Sequence, residues 1–153
     1  MSGFIAGGTA EAFTLVNDGF WPDIDADHLR AAQRIDAAVT NARLELAAVA
    51  AMVAVNRDLS AAKAKWLASG FGTLAEVPAD QIAGASMHVH GYRRAVYSLT
   101  SAEVAERYRS YDAANSGAKN ADQEEPSADD YRRDARHAVR DILGIGHATV
   151  ELI

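Results

Sequence analysis

Apolar positions recur at helical spacing over three long stretches of the chain. From about Ala37 or Thr40 to Ala68, Val39, Ala42, Leu46, Val49 and Val53 alternate at intervals of three and four, which marks one helical face. Met52, Leu59 and Trp66 recur every seven residues and form an adjoining stripe, and Gly70 stands where a C′ glycine belongs. A second long helix is predicted from Ser86 or Met87 to Tyr111. Val89, Tyr92, Val96 and Leu99 form one face of it; Tyr97, Val104, Tyr108 and Tyr111 form another. Gly91 lies inside it at a cost of roughly 1 kcal/mol against alanine, tolerable where another backbone crosses closely. A third helix begins at Ser127, with Asp130 three residues on as a weaker form of the capping box. Its inner face is Tyr131, Ala135, Ala138 and Ile142, with Val139 beside it; Arg132, Arg133, Arg136 and Arg140 line the outside, and Gly144 and Gly146 end it. A short helix is predicted to start near Asp25, an N-cap, with Asp27 in the first turn and Leu29 and Ile35 inward.

The predicted fold class is therefore all-α: a small helical bundle of two long helices, one short N-terminal helix and one C-terminal helix. Residues 1–19 read as an extended N-terminal arm, 20–146 as the helical body and 147–153 as a strand-like tail. The arm is rich in glycine and lacks lysine and arginine; Phe13 and Leu15 alternate with Thr14 as in a short strand, and either a disordered terminus or a segment that orders against a neighbour fits it. Phe20 and Trp21 stand directly before Pro22 and the first helix, and are candidate anchors of the arm to the body or to a neighbouring subunit. Residues 70–86 form a connection whose Phe71, Leu74, Val77 and Ile82 are expected to pack down. Residues 112–126 are polar and aperiodic, a solvated loop. In the tail, Thr149, Val150 and Leu152 have strand character. A strand paired with the N-terminal arm, a frayed end and strand addition to a partner all fit it.

Composition narrows the functions. Among 153 residues there are 15 Lys and Arg against 21 Asp and Glu, a net charge of -6, and no cysteine. Disulfides, thiolate catalysis and cysteine-based zinc sites are excluded. A general nucleic-acid binder is usually basic, because phosphate neutralisation dominates such affinity. No apolar run approaches the ~20 residues of a membrane helix, and the N-terminus lacks the charged region of a signal peptide. A cytoplasmic product is expected.

Little in the chain suggests catalysis. His88 and His90 have the only metal-like spacing, but on a helix positions i and i+2 diverge by about 200°, so exposed histidines are the expectation. Asp23, Asp25 and Asp27 alternate without the glycine and distal glutamate of a calcium loop, and capping accounts for two of the three more simply. Arg107 is placed to pair with Glu103 four residues earlier. Arg107, Arg109, Arg132, Arg133, Arg136 and Arg140 are candidate inter-subunit ion-pair donors, since arginine suits interface carboxylates. No catalytic, metal-binding or cofactor-binding residue is predicted.

Several ordered segments carry a resemblance: Phe20-Trp21-Pro22-Asp23-Ile24-Asp25; Ala68-Ser69-Gly70-Phe71 with Leu74 to Asp80; Ile82-Ala83-Gly84; Tyr92-Arg93-Arg94-Ala95-Val96; and Glu106-Arg107-Tyr108-Arg109 with Asp112 and Lys119-Asn120-Ala121-Asp122. Over about residues 20–153 the chain resembles the head completion (head stabilisation) proteins of temperate contractile-tailed phages. Ala26 stands where that family often has proline, and the polar loop diverges. The resemblance implies a structural virion protein of the head–tail neck, assembled in the host cytoplasm and without enzymatic activity. It further implies a ring of copies, expected to be a dodecamer, that docks under the portal protein after packaging and offers a surface to a tail terminator or tail-completion protein. Packaged DNA would pass through without specific binding. On this reading Ala148, Thr149, Val150, Glu151, Leu152 and Ile153 form the portal-docking tail. The alternative is a helical regulatory or nucleic-acid-binding module centred on the arginines of the third helix; a small metal protein at His88 and His90 is a further class.

Overall fold

A computed structural model of the protein describes residues 13–112 and 126–146, with side chains as far as residue 107 in the first stretch. The order of elements is β1 (Thr14–Leu15), β2 (Ile24–Asp25), α1 (Ala26–Ala32), α2 (Asn41–Asp58), α3 (Ser60–Ala68), a 3₁₀ turn (Leu74–Glu76), β3 (Gln81–Ile82), β4 (Ala85–Ser86), α4 (Met87–Asp112) and α5 (Ala128–Ile142). Helix α4 is the central element: α2 and α5 each pack along it. None of the described helices is long and apolar enough to cross a membrane.

The all-α expectation needs correction, since the fold is mostly helical but holds two small antiparallel ladders. Thr14 and Leu15 pair with Asp25 and Ile24, and Gln81 and Ile82 pair with Ser86 and Ala85. The second is a hairpin closed by Ala83 (φ 50°) and Gly84 (φ 79°), the two positive φ values of a type I′ turn. The alternation of Phe13, Thr14 and Leu15 announces a short strand in the first ladder, whereas the second has no alternating run long enough to announce it.

The helix ends follow local chemistry. The Asp25 carboxylate accepts from the His28 backbone N–H at 2.9 Å, capping α1. The Ser127 hydroxyl accepts from the Asp130 N–H at 3.1 Å while the Asp130 carboxylate accepts from the Ser127 N–H at 3.0 Å, so the capping box is reciprocal. Gly70 (φ 92°) and Gly144 (φ 67°) take the left-handed conformation past α3 and α5.

The single long helix predicted to reach Ala68 is two helices. The chain bends at Leu59 (φ -96°, ψ 4°), which is fully buried between α2 and α3. The inward face of α2 also differs from the predicted one. Leu44, Ala47, Ala48, Ala51, Met52 and Val55 are buried, whereas Ala42, Leu46, Val49 and Val53 face solvent. From Leu46 to Val55 the helix carries no polar side chain to break the symmetry, so spacing alone does not select a face. Met52 and Leu59 of the seven-residue stripe are buried and Trp66 is packed against the core. In the connection after α3, Leu74 and Val77 pack down, while Ile82 points outward, 56% exposed. Gly91 sits where α5 crosses α4. A Cβ there would lie 2.9 Å from Ile142 Cγ1, so the glycine permits the close approach.

Candidate assembly surfaces

The aromatic pair before α1 is built into the body of its own chain. Phe20 and Trp21 are buried, at 5% and 3% exposure. Their rings meet edge to face at 4.9 Å; Trp21 stacks on Tyr92 of α4 at 5.2 Å, and Phe20 stacks on Trp66 of α3 at 6.3 Å. Lys63 Nζ lies 5.4 Å from the Phe20 ring centroid and bridges to Asp18. The Asp18 carboxylate also accepts from the backbone N–H groups of Phe20 (3.1 Å) and Trp21 (3.3 Å). Burial opposes its charge, but Lys63 and these N–H groups together outweigh that and hold the carboxyl below its ordinary value.

A closed polar ring lies beneath the aromatic pair. Asn17 Nδ2 donates to the Tyr92 hydroxyl (2.8 Å), Tyr92 donates to Asn56 Oδ1 (2.6 Å), and Asn56 Nδ2 donates back to Asn17 Oδ1 (3.0 Å). Each group in the ring is both donor and acceptor, so the hydroxyl of fully buried Tyr92 is satisfied. Burial pushes its ionisation well above the ordinary tyrosine range. The Leu74 N–H donates to the Phe20 carbonyl at 2.9 Å and ties in the 3₁₀ turn. The aromatic pair and the polar ring together join residues 13–25 to α2, α3 and α4 of one subunit.

The arginines of α5 are drawn into contacts within the chain. Arg132 bridges Glu106 of α4 and Asp129; Arg133 pairs with Asp130 at 2.9 Å; Arg140 donates to the Gly146 carbonyl. The Arg132 guanidinium holds the Glu106 carboxyl below its ordinary range. Arg107 pairs with Glu103, as its spacing predicts. Arg136 is exposed. Arg109 belongs to α4, but its side chain lies outside the described residues, as do the loop 113–125, residues 1–12 and all of Ala148–Ile153.

The histidines expected to be exposed are half-buried. His88 lies against Trp66, ring centroids 5.8 Å apart, and donates to the Pro78 carbonyl; burial lowers its proton affinity. His90 Nε2 donates to the Ile82 carbonyl at 2.7 Å. Each is engaged with a backbone carbonyl, and among the described residues no group of three or more His, Cys, Asp or Glu side chains is disposed to hold a metal ion.

Apolar side chains face outward at several places among the described residues, Val16, Leu67 and Leu143 included, and two such surfaces bear on assembly. One is the α2 ridge of Leu46, Val49 and Val53, 65%, 43% and 60% exposed. The other is an open groove of about 600 Å³ lined by Ile82, Met87, Gly91, Ala138 and Ile145, with His90, Arg94 and Asp141 among its polar neighbours. An exposed apolar surface rimmed by polar side chains is a common mark of a protein contact.

The family model described as phage head completion protein (GPL) matches residues 15–153. The chain belongs to the phage head completion protein family. Over 128 residues it is 41% identical to the head completion/stabilization protein of Escherichia phage P2, covering 84% of this chain and 76% of that one. No solved structure matches it. As a head completion protein it is a structural component of the phage head. The segments that carried the resemblance hold this head completion protein's scaffold together: Trp21 and Tyr92 stack, Asp25 caps α1, Gly70 ends α3, and Gly84 turns the β3–β4 hairpin. The residues that sequence reasoning missed are Asn17, Asn56 and Trp66 as partners of the anchor. Their sole signal was residue type, because each meets its partner across a long stretch of chain.

Proposed function

We propose that this head completion protein is a head-to-tail adaptor whose copies form a ring that docks beneath the portal and presents the tail attachment surface. The observation that carries the reading is the outward apolar ridge of α2. A helix with no charged or polar side chain from Leu46 to Val55 is suited to burial on both sides, and one subunit covers only one of them. A virion component that works as an assembly accounts for the other. In a ring the same contact repeats around every copy, so modest contacts sum to a firm attachment.

The tail Ala148–Ile153 supplies the docking strand for the portal, and the net charge of -6 lets DNA pass through the ring without adhering. The test images the purified protein at low magnification with and without portal, alongside a chain ending at Gly146. Rings formed on portal by the full chain, and a truncated chain that folds but does not join portal, are the expected outcome. A truncated chain that binds portal with unchanged affinity overturns the docking role of the tail, and an absence of rings on portal overturns the adaptor reading.

A further inference from the structure

The two outward apolar surfaces differ in form as well as in place. The α2 ridge is convex, made of Leu46, Val49 and Val53 on one side of a helix; the groove is concave, with Ile82, Met87 and Ile145 around a floor of small residues at the α4–α5 crossing. Charge completes the match. Glu45 stands beside the ridge and Arg94 at the rim of the groove, and among the described residues neither makes an ion pair. A ring contact is heterologous, so it needs two different surfaces that fit each other. A ridge-to-ridge contact would close a two-fold dimer, stop there and leave the groove uncovered.

We infer that the occupant of the groove is a second copy of this chain: the Leu46–Val49–Val53 ridge of one subunit seats in the Ile82–Met87–Ile145 groove of the next, with Glu45 facing Arg94. This rests on the adaptor reading and gives the ring its direction around the portal.

The absence of cysteine makes the contact directly testable. Val49→Cys and Met87→Cys are introduced singly and together, particles are assembled with each, and a short bismaleimide is applied. The expected result is a ladder of cross-linked multimers from the double variant and monomer from either single. Dimers from Val49→Cys alone would mean a two-fold ridge contact and overturn the inference. Cross-linking of Met87→Cys to Leu152→Cys in a chain with Val49 intact would assign the groove to residues 147–153 and overturn it as well. Particles that contain the double variant in normal amount without a ladder place the neighbour contact elsewhere. Wild-type protein missing from particles would instead fail the adaptor reading itself. As an independent measurement, Glu45→Arg and Arg94→Glu each lower incorporation into particles, and the two together restore it; no restoration removes the proposed charge pair.

Discussion

Helix α5 turns Arg133 and Arg136 to solvent and sends Arg132 to Glu106 of α4, whereas α2 turns Leu46, Val49 and Val53 outward with no charge between Glu45 and Arg57. Both helices bury their opposite sides on α4. The charged side of α5 is largely answered within one subunit, where Arg132 and Arg133 meet carboxylates and Arg140 meets a carbonyl. The surface of α2 is not, because water gains nothing from aliphatic side chains. The same helix can therefore be well packed on one side and unfinished on the other, and it is the unfinished side that speaks of assembly.

The largest expected effect breaks the way residues 13–25 are held to α4. Trp21→Ala removes a buried ring stacked on Tyr92 and is expected to cost about 3–5 kcal/mol in denaturant unfolding. A loss below about 1 kcal/mol would mean that the aromatic cluster is not what holds residues 13–25 to α4. Next, Gly91→Val attacks the α5 side of the same helix. The added atoms meet Ile142, and overpacking of this kind costs about 1–3 kcal/mol; unchanged unfolding would mean that α5 can step back from α4 freely.

Smaller effects separate the two outer faces. Leu46→Ser is expected to leave monomer stability within about 0.5 kcal/mol while lowering incorporation into particles, since an exposed side chain supports no core. Thermal melting and particle composition, measured on the same variant, check the pair; a large loss of monomer stability would show the ridge to be structural. The smallest effect is at acid pH. The Asp18 carboxyl lies below its ordinary value of 3.8 in the folded chain. Its contribution is then full above that value and lost as pH falls through the lower folded value. Asp18→Asn should flatten the decline of melting temperature below about pH 4 relative to wild type. Parallel acid limbs would remove Asp18 from the anchor.

What could be seen in the sequence was what neighbouring residues decide among themselves. Asp25, Ser127, Gly70 and Gly144 mark helix ends through contacts a few residues long, and the structure has them in those roles. Arg107 and Glu103, four residues apart on one helix, are likewise a local matter. The inward face of α2 was not legible, because both sides are apolar: Leu44, Met52 and Val55 are buried while Leu46, Val49 and Val53 face out, so hydrophobic size does not separate them. The partners of Trp21 were not legible either. Trp66 and Tyr92 reach it only once α3 and α4 have been brought back across the body. For the same reason the pairing of Arg132 with Glu106, 26 residues away along the chain, was not legible.

The closed ring of Asn17, Asn56 and Tyr92 has a consequence in time. Its outer members are 75 residues apart, and synthesis at about 5–20 residues per second separates their emergence by about 4–15 s. Throughout that interval Phe20 and Trp21 have left the ribosome and the helix that shelters them has not. The nascent chain therefore carries two bare aromatic rings for several seconds, a window in which a chaperone has something to hold and a neighbouring nascent chain has something to stick to.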